Sequence, residues 1–244
     1  MMNYVVGDIH GEITKLETLI NNILEQSKNP IFTFIGDYLD KGENPKAALD
    51  YLVGLNQKYQ CNFILGNHEF LWLSVNSNNN AKDYLIKYGA ISTIKSFGFL
   101  TFEECFSFIN NNYKSIFENL LPYYFIENYL IVHSGIAPKF LDKSIKSIPV
   151  ESFLFNRYDF LMEERLYCNK FKIIFGHTGF YFPFVDQFKI GIDTAACFLE
   201  GQPLTAFCPE ADLFINSNNE ICSINTFDKF LLPNIPRNKP WRQF

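Results

Sequence analysis

The sequence contains no apolar run of about 20 residues, the length a membrane-spanning helix requires. Its first residues, Met1-Met2-Asn3-Tyr4-Val5-Val6-Gly7, carry neither a basic stretch nor an apolar one of useful length, so no signal peptide is expected and a cytoplasmic location is. Cysteine pairs at CxxC spacing are missing. The six cysteines are scattered and read as reduced thiols, mostly in the core. An excess of positive charge is missing as well. Lys and Arg total 21 against 26 Asp and Glu, a formal net charge of -5, which argues against a nucleic-acid partner held by phosphate neutralisation. The charge balance leaves open the binding of one phosphate group in a metal-lined cleft. No repeat and no dividing linker is found. Low complexity is confined to residues 76–80, which read as a surface loop. Histidine is scarce, at 4 in 244 residues.

What is present is apolar. Hydrophobic residues make up 48% of the chain, enough for a sizeable core and too many for disorder. Tyr4 to Val6 reads as a short strand. Leu16, Leu19, Ile20, Ile23 and Leu24 line one face of a helix over residues 13–25. A second strand is expected over 31–35, a second helix over 45–59 with Pro45 in its first turn, and a third strand over 61–65. This β-α-β-α-β order calls for right-handed crossovers and parallel pairing. Residues 70–121 read as a helical insertion. Strands return at 129–132, at 171–175 and in several short pieces from 188 to 226. The expected organisation is an α/β domain over 1–232 and an extended tail over 233–244, which holds three prolines.

Each early strand ends in the same kind of turn. Gly7-Asp8-Ile9-His10-Gly11 follows the first, Gly36-Asp37-Tyr38-Leu39-Asp40-Lys41-Gly42 the second, and Gly66-Asn67-His68-Glu69 the third. The carboxyl ends of parallel strands are where open α/β sheets bind ligands. Asp8, His10, Asp37, Asn67 and His68 would therefore share one rim. His133, in His-Ser-Gly, and His177, in Gly-His-Thr, also directly follow expected strands. Scattered surface histidines would not do that. Carboxylate with imidazole suits Mn, Fe or Zn better than Mg or Ca. Two such ions about 3.5–4 Å apart can share a carboxylate, activate a bridging hydroxide and stabilise in-line displacement at phosphorus. A histidine off the metals can then protonate the leaving oxygen.

In order, these five motifs resemble the signature of the phosphoprotein phosphatase family of metallophosphoesterases, in its bacterial and phage serine/threonine branch. The resemblance spans residues 5 to about 206 and includes Tyr88-Gly89-Ala90, Leu121-Pro122 and Ile192-Asp193-Thr194-Ala195. It implies an αββα sandwich of two mixed sheets flanked by helices, with two divalent metal ions, Mn above Fe or Zn. Asp8, His10 and Asp37 match the ligands of one metal. Asp37, Asn67, His133 and His177 match those of the other, with Asp37 bridging. His68 matches the general acid, Asp40 the carboxylate that orients it, and Arg157 the arginine that clamps the substrate phosphate. The implied activity is a metal-dependent phosphatase acting on phosphoserine and phosphothreonine, with phosphotyrosine as a further substrate. Nothing in the sequence sets an oligomeric state.

Two residues depart from the family pattern. Leu65 stands where many members carry an arginine before Gly-Asn-His-Glu, so one bidentate phosphate donor is missing. Lys41 replaces the arginine of Asp-Arg-Gly. A leucine at position 65 also resembles the symmetrical dinucleoside tetraphosphate hydrolases, which makes a nucleotide substrate the main alternative. Those relatives usually have aspartate after the histidine and lack a carboxylate at position 40, whereas Glu69 and Asp40 are present here. A catalytically weak phosphate-binding module is the further alternative. Arg157 also reads as a surface ion pair with Asp159 or Glu163, Lys41 as a solvated side chain, Asp193 as a support for the ligands or a turn, and the aromatic run 180–184 as core and hairpin packing.

Overall fold

The computed structural model describes residues 1–78 and 80–227. Strands β1 (Asn3–Val6), β2 (Ile31–Phe34) and β3 (Cys61–Ile64) alternate with helices α1 (Ile13–Gln26) and α2 (Pro45–Asn56). They pair in parallel, as their order requires. The start of α2 is dictated locally. Pro45 supplies a preset φ at the first helical position, and the Asn44 side chain accepts a hydrogen bond from the Ala47 amide at 3.1 Å. Five helices follow: α3 (Asn67–Ser74), α4 (Ala81–Lys87), α5 (Ala90–Ser96), α6 (Phe102–Asn112) and α7 (Lys114–Phe117).

Leu120–Leu121 is a strand, β4, which corrects the helical expectation for those two residues. It lies parallel to β3 with Phe63 opposite Leu120, and the Leu65 amide donates to the Leu121 carbonyl at 2.8 Å. A sheet edge captures this apolar pair, and Pro122 can donate nothing to a longer ladder. Strands β5 (Tyr124–Ile126), β6 (Tyr129–Ile131) and β7 (Lys172–Phe175) come next, with α8 (Tyr158–Leu161) before β7. The chain continues through β8 (Phe184–Val185), β9 (Lys189–Gly191), β10 (Thr205–Cys208), β11 (Leu213–Asn216) and β12 (Ile221–Ser223). The tail expected over 233–244 lies outside the described residues.

The strands form two mixed sheets, ordered β12-β11-β10-β1-β2-β3-β4 and β5-β6-β7-β9-β8. Alternation along each strand decides which layer a side chain enters. Val5, Ile35 and Ile64 from the first sheet meet Ile131, Ile174 and Ile190 from the second. Tyr4, Val6, Phe32 and Phe34 point the other way, against Leu16, Leu19, Leu49 and Leu52 of α1 and α2. On the outer face of the second sheet, Leu130, Val132, Ile173 and Phe175 pack against residues 136–167, including Phe160 of α8. Short 3-10 turns and α8 cover that face in place of long helices. Strands buried on both faces read as nearly continuous apolar runs, which is why β1 to β3 were legible in the sequence. The architecture is the αββα sandwich, and no helix among the described residues is long and apolar enough to cross a membrane.

The sheets bring the turns after β2 and β3 into close approach. Gly36 has φ +110°, and a Cβ there would fall 2.6 Å from the Gly66 Cα. Gly36→Ala is expected to destabilise the fold by about 1–3 kcal/mol through strain and crowding. Chemical denaturation measures this, and an unchanged midpoint would show that the two turns have room to separate.

Candidate active site

The carboxyl ends of β1, β2, β3, β6 and β7 deliver Asp8 with His10, Asp37 with Asp40, Asn67 with His68, His133, and His177 to one place. Asp8, His10, Asp37, Asp40, Asn67, His68 and His133 are all buried. His10, Asp37, Asp40 and His177 have φ of +43°, +53°, +69° and +65°. Non-glycine residues rarely adopt this left-handed region, and such strain persists only where the surroundings enforce it. Here the amides of Ile9 and His10 both donate to the Asp37 carbonyl, at 3.2 and 2.7 Å, and the Gly42 amide donates to the His10 carbonyl at 2.8 Å. The first two turns thus lock each other.

The Asp37 carboxylate stands between two donor groups. Its Oδ2 lies 3.2 Å from His10 Nε2 and 3.9 Å from His68 Nε2, and its Oδ1 lies 3.5 Å from His133 Nε2. Asn67 Oδ1 is 2.9 Å from His133 Nε2 and 2.7 Å from His177 Nδ1. Two sets of ligand atoms, from His10, Asp37 and His68 and from Asp37, His133 and His177, each fall within 4.8 Å of one another. The Nδ1 atoms of His10 and His133 donate to the carbonyls of Leu39 (2.8 Å) and Ile35 (3.0 Å). That leaves each Nε2 lone pair facing Asp37.

Burial lowers the pKa of His10 to about 4, aided by the Lys41 charge, and lowers those of His133 and His177 as well. A lowered pKa favours the neutral imidazole, the form that binds metal. Burial opposes charge on Asp37, but the imidazoles of His133, His68 and His10 overcome it and hold that carboxyl well below its ordinary range. Asp8 is pushed well up by burial and by the neighbouring Asp193 and Asp37. Its Oδ2 accepts from the His177 amide at 2.9 Å, while its buried Oδ1 has no hydrogen-bond partner among the described residues. An orphaned, buried carboxylate oxygen beside neutral imidazoles is a donor set that fits divalent cations.

His68 differs from the other three histidines. Its Nδ1 is 2.6 Å from Asp40 Oδ2. Burial pulls its pKa down, but Asp37 and the hydrogen-bonded Asp40 outweigh this and raise it. Asp40 is fully enclosed. It accepts from Thr93 Oγ1 at 2.7 Å and from Trp72 Nε1 at 3.1 Å, and its amide donates to Thr93 Oγ1 at 2.9 Å. Trp72 lies one turn after His68 on α3, and Thr93 comes from α5.

Residues 3–213 match the calcineurin-like phosphoesterase family. The chain belongs to this family. It is a metal-dependent phosphoric ester hydrolase. A relative named asymmetrical bis(5'-nucleosyl)-tetraphosphatase PrpE, from Oceanobacillus iheyensis, is 24% identical over 222 residues, covering 83% of this chain and 86% of that one. A symmetrical bis(5'-nucleosyl)-tetraphosphatase from Pseudomonas syringae pv. syringae is 26% identical over 147 residues, covering 60% of this chain and 46% of that one. The chain thus spans under half of that second relative. A protein serine/threonine phosphatase from Saccharomyces cerevisiae has a similar fold, with a TM-score of 0.55, 16% identity, and coverage of 88% of this chain and 72% of that one.

The phosphoesterase site includes groups to which the motif reading gave no ligand, acid or clamp role. Glu69 is buried and makes no ion pair with a lysine or arginine among the described residues. Its Oε2 accepts from the Asp37 amide at 2.8 Å, and its Oε1 accepts from the amides of Tyr38 and Leu39 at 2.9 and 3.3 Å. Burial and the Asp37 charge push its pKa up to about 8, against the pull of these amides. An acidic residue in the first turn of α3, straight after Asn67 and His68, was the available signal. Lys41 is not a solvated side chain. Its Nζ lies 2.8 Å from His10 Nε2 and 4.5 Å above the Phe198 ring. Asp193 is buried near Asp8, and its Oδ1 accepts from the Ala195 amide at 2.9 Å. Phe180 and Phe184 stack at 5.3 Å beside Phe175 as core packing, whereas Tyr181 and Phe182 of the same run are exposed.

Arg157 is exposed, and near enough to the site that its charge is among those that lower His177. The expected ion pair with Asp159 or Glu163 does not form among the described residues, because Glu163 is bound by Arg165 at 2.9 Å.

Glu69→Gln keeps the shape but puts an amide NH2 in place of one of the two oxygens that accept from the Asp37, Tyr38 and Leu39 amides. Divalent-metal affinity and turnover are expected to fall about 10-fold or more, the range for leaving a buried amide donor without its acceptor. Calorimetric titration with Mn would measure the first. Wild-type affinity in the variant would mean that the Asp37 turn holds itself.

Proposed function

We propose that this phosphoesterase is a two-metal phosphomonoester hydrolase acting on phosphoserine and phosphothreonine in proteins. Asp8, His10 and Asp37 would hold one divalent cation and Asp37, Asn67, His133 and His177 the other, with Mn preferred over Fe or Zn. Such a pair, when bound, supplies charge neutralisation at the phosphate and an activated water. The residues of the chain do the rest. Arg157 holds the substrate phosphate oxygens. Water attacks phosphorus in line with the departing oxygen. As that bond breaks, His68 passes its Nε2 proton to the oxygen while Asp40 holds the Nδ1–H. We take residues 1–232 as the catalytic unit, working in the cytoplasm.

The observation that carries this reading is the enclosed His68–Asp40 pair beside Asp37. A serine or threonine alkoxide is a poor leaving group and gains most from a delivered proton. A nucleoside phosphate departs as a stable anion and needs that proton far less. The second reading, a dinucleoside tetraphosphate hydrolase, is favoured by what two of the relatives are named for and by Leu65.

A Mn-supplemented assay with a phosphothreonine peptide and diadenosine tetraphosphate at equal concentration separates the two. Inorganic phosphate from the peptide with the dinucleotide intact is the expected result. Nucleotide release with the peptide untouched would replace the first reading by the second. His68→Ala is expected to lower kcat on the peptide by about 10²–10⁴ while metal binding persists. An unaffected kcat would mean that the chain has no acid at this position and favour a phosphate-binding module.

A further inference from the structure

We propose that Asn156 and the buried Lys189 are positioning residues that together aim Arg157 at the substrate phosphoryl group, an inference that rests on the clamp role proposed above for Arg157. Arg157 lies between β6 and β7 in a stretch without a long helix, and its own backbone is irregular, with φ -144° and ψ -105°. An exposed arginine on such a stretch would lose much of its binding energy to ordering. The stretch is instead fastened on both sides of Arg157.

On the side before Arg157, the Asn156 amide donates to Ser134 Oγ at 2.9 Å. Its Nδ2 donates to the carbonyls of Gly135 (3.2 Å) and Ser152 (2.5 Å) and contacts Ser134 Oγ at 3.3 Å. The Ser134 amide returns a bond to the Phe153 carbonyl at 2.7 Å. Ser134 directly follows His133, so the arginine is tied to the turn that carries a candidate ligand.

On the side after Arg157, Lys189 of β9 reaches the end of α8. Its ammonium donates to the carbonyls of Phe160 (3.3 Å), Leu161 (3.0 Å) and Glu163, and pairs with Asp186 at 3.1 Å. A buried lysine spent on three helix-end carbonyls fixes that end of the segment. Phe160 fills the space where a Cβ on Gly135 would sit, which brings the two fastenings together. Neither Asn156 nor Lys189 needs to touch the phosphate.

The experiment is a double-mutant cycle on the Mn-loaded protein, with inorganic phosphate as the calorimetric probe and KM and kcat on an aryl phosphate read alongside. Arg157→Ala is expected to weaken phosphate about 10- to 100-fold. Asn156→Ala should weaken phosphate and raise KM about 5- to 10-fold with kcat changed less than twofold, and should add nothing further once Arg157 is alanine. Lys189→Met, which keeps the apolar stem, should behave likewise. Asn156→Ala lies outside the buried core and keeps the test decisive if Lys189→Met fails to fold. Effects of Asn156→Ala that add fully to those of Arg157→Ala, or that fall on kcat with phosphate affinity unchanged, would overturn the inference. If Arg157→Ala itself leaves phosphate affinity unchanged, the clamp reading fails and this inference fails with it. A shift for Arg157→Ala without one for Asn156→Ala overturns this inference alone.

Discussion

The Asp37 carboxylate faces His10 and His68 with one oxygen and His133 with the other, in a turn whose backbone no ordinary residue prefers. Holding that anion and that φ costs free energy on two counts, desolvation and strain. Glu69 answers the second by accepting from three successive amides of the turn. The imidazoles answer the first. Because Glu69 sits one residue after His68, the same short helix start sets the candidate bridging ligand and the candidate acid relative to each other. Asn67, His68 and Glu69 are thus one device, although their side chains serve different ends.

The two sheets make that device possible. Strands β1 to β3 place Asp8, His10, Asp37, Asp40, Asn67 and His68 on the rim of one sheet, while β6 and β7 place His133 and His177 on the rim of the other. Only face-to-face packing through Val5, Ile35, Ile64, Ile131 and Ile174 brings the rims together. The apolar interior is therefore a condition for the chemistry as well as for stability, since a slip between the sheets would part Asn67 from His133 and His177. The helices after β3 have a comparable role. Trp72 and Thr93 close over Asp40 and leave its carboxylate little freedom except towards His68.

Much of this was legible in the chain. The strands β1 to β3 are apolar runs closed by glycine turns, and their order with α1 and α2 calls for parallel pairing. The histidines are so few that their placement after strands stood out. Less visible were Leu120–Leu121, whose strand depends on a neighbouring edge and not on local pattern, and β5, a three-residue strand paired with β6. Glu69 and Lys41 were named in motifs, yet their partners come from the turns after β2 and β1, and no local spacing reveals that.

Taken by itself, the sequence determined a parallel β-α-β-α-β start and the set of residues that gather at the strand ends, through local periodicity and the chemistry of residue types. The αββα class and the distinct place of His68 among four histidines were what the family resemblance of its motifs implied. The tertiary structure decided what each group faces. It enclosed Asp40 beneath Trp72 and Thr93, gave Glu69 three amides, and left Arg157 free of the ion pair its neighbours offered. Hydrogen bonding and desolvation act over a few ångströms between residues far apart in the chain, so only the packed sheets can say which groups meet.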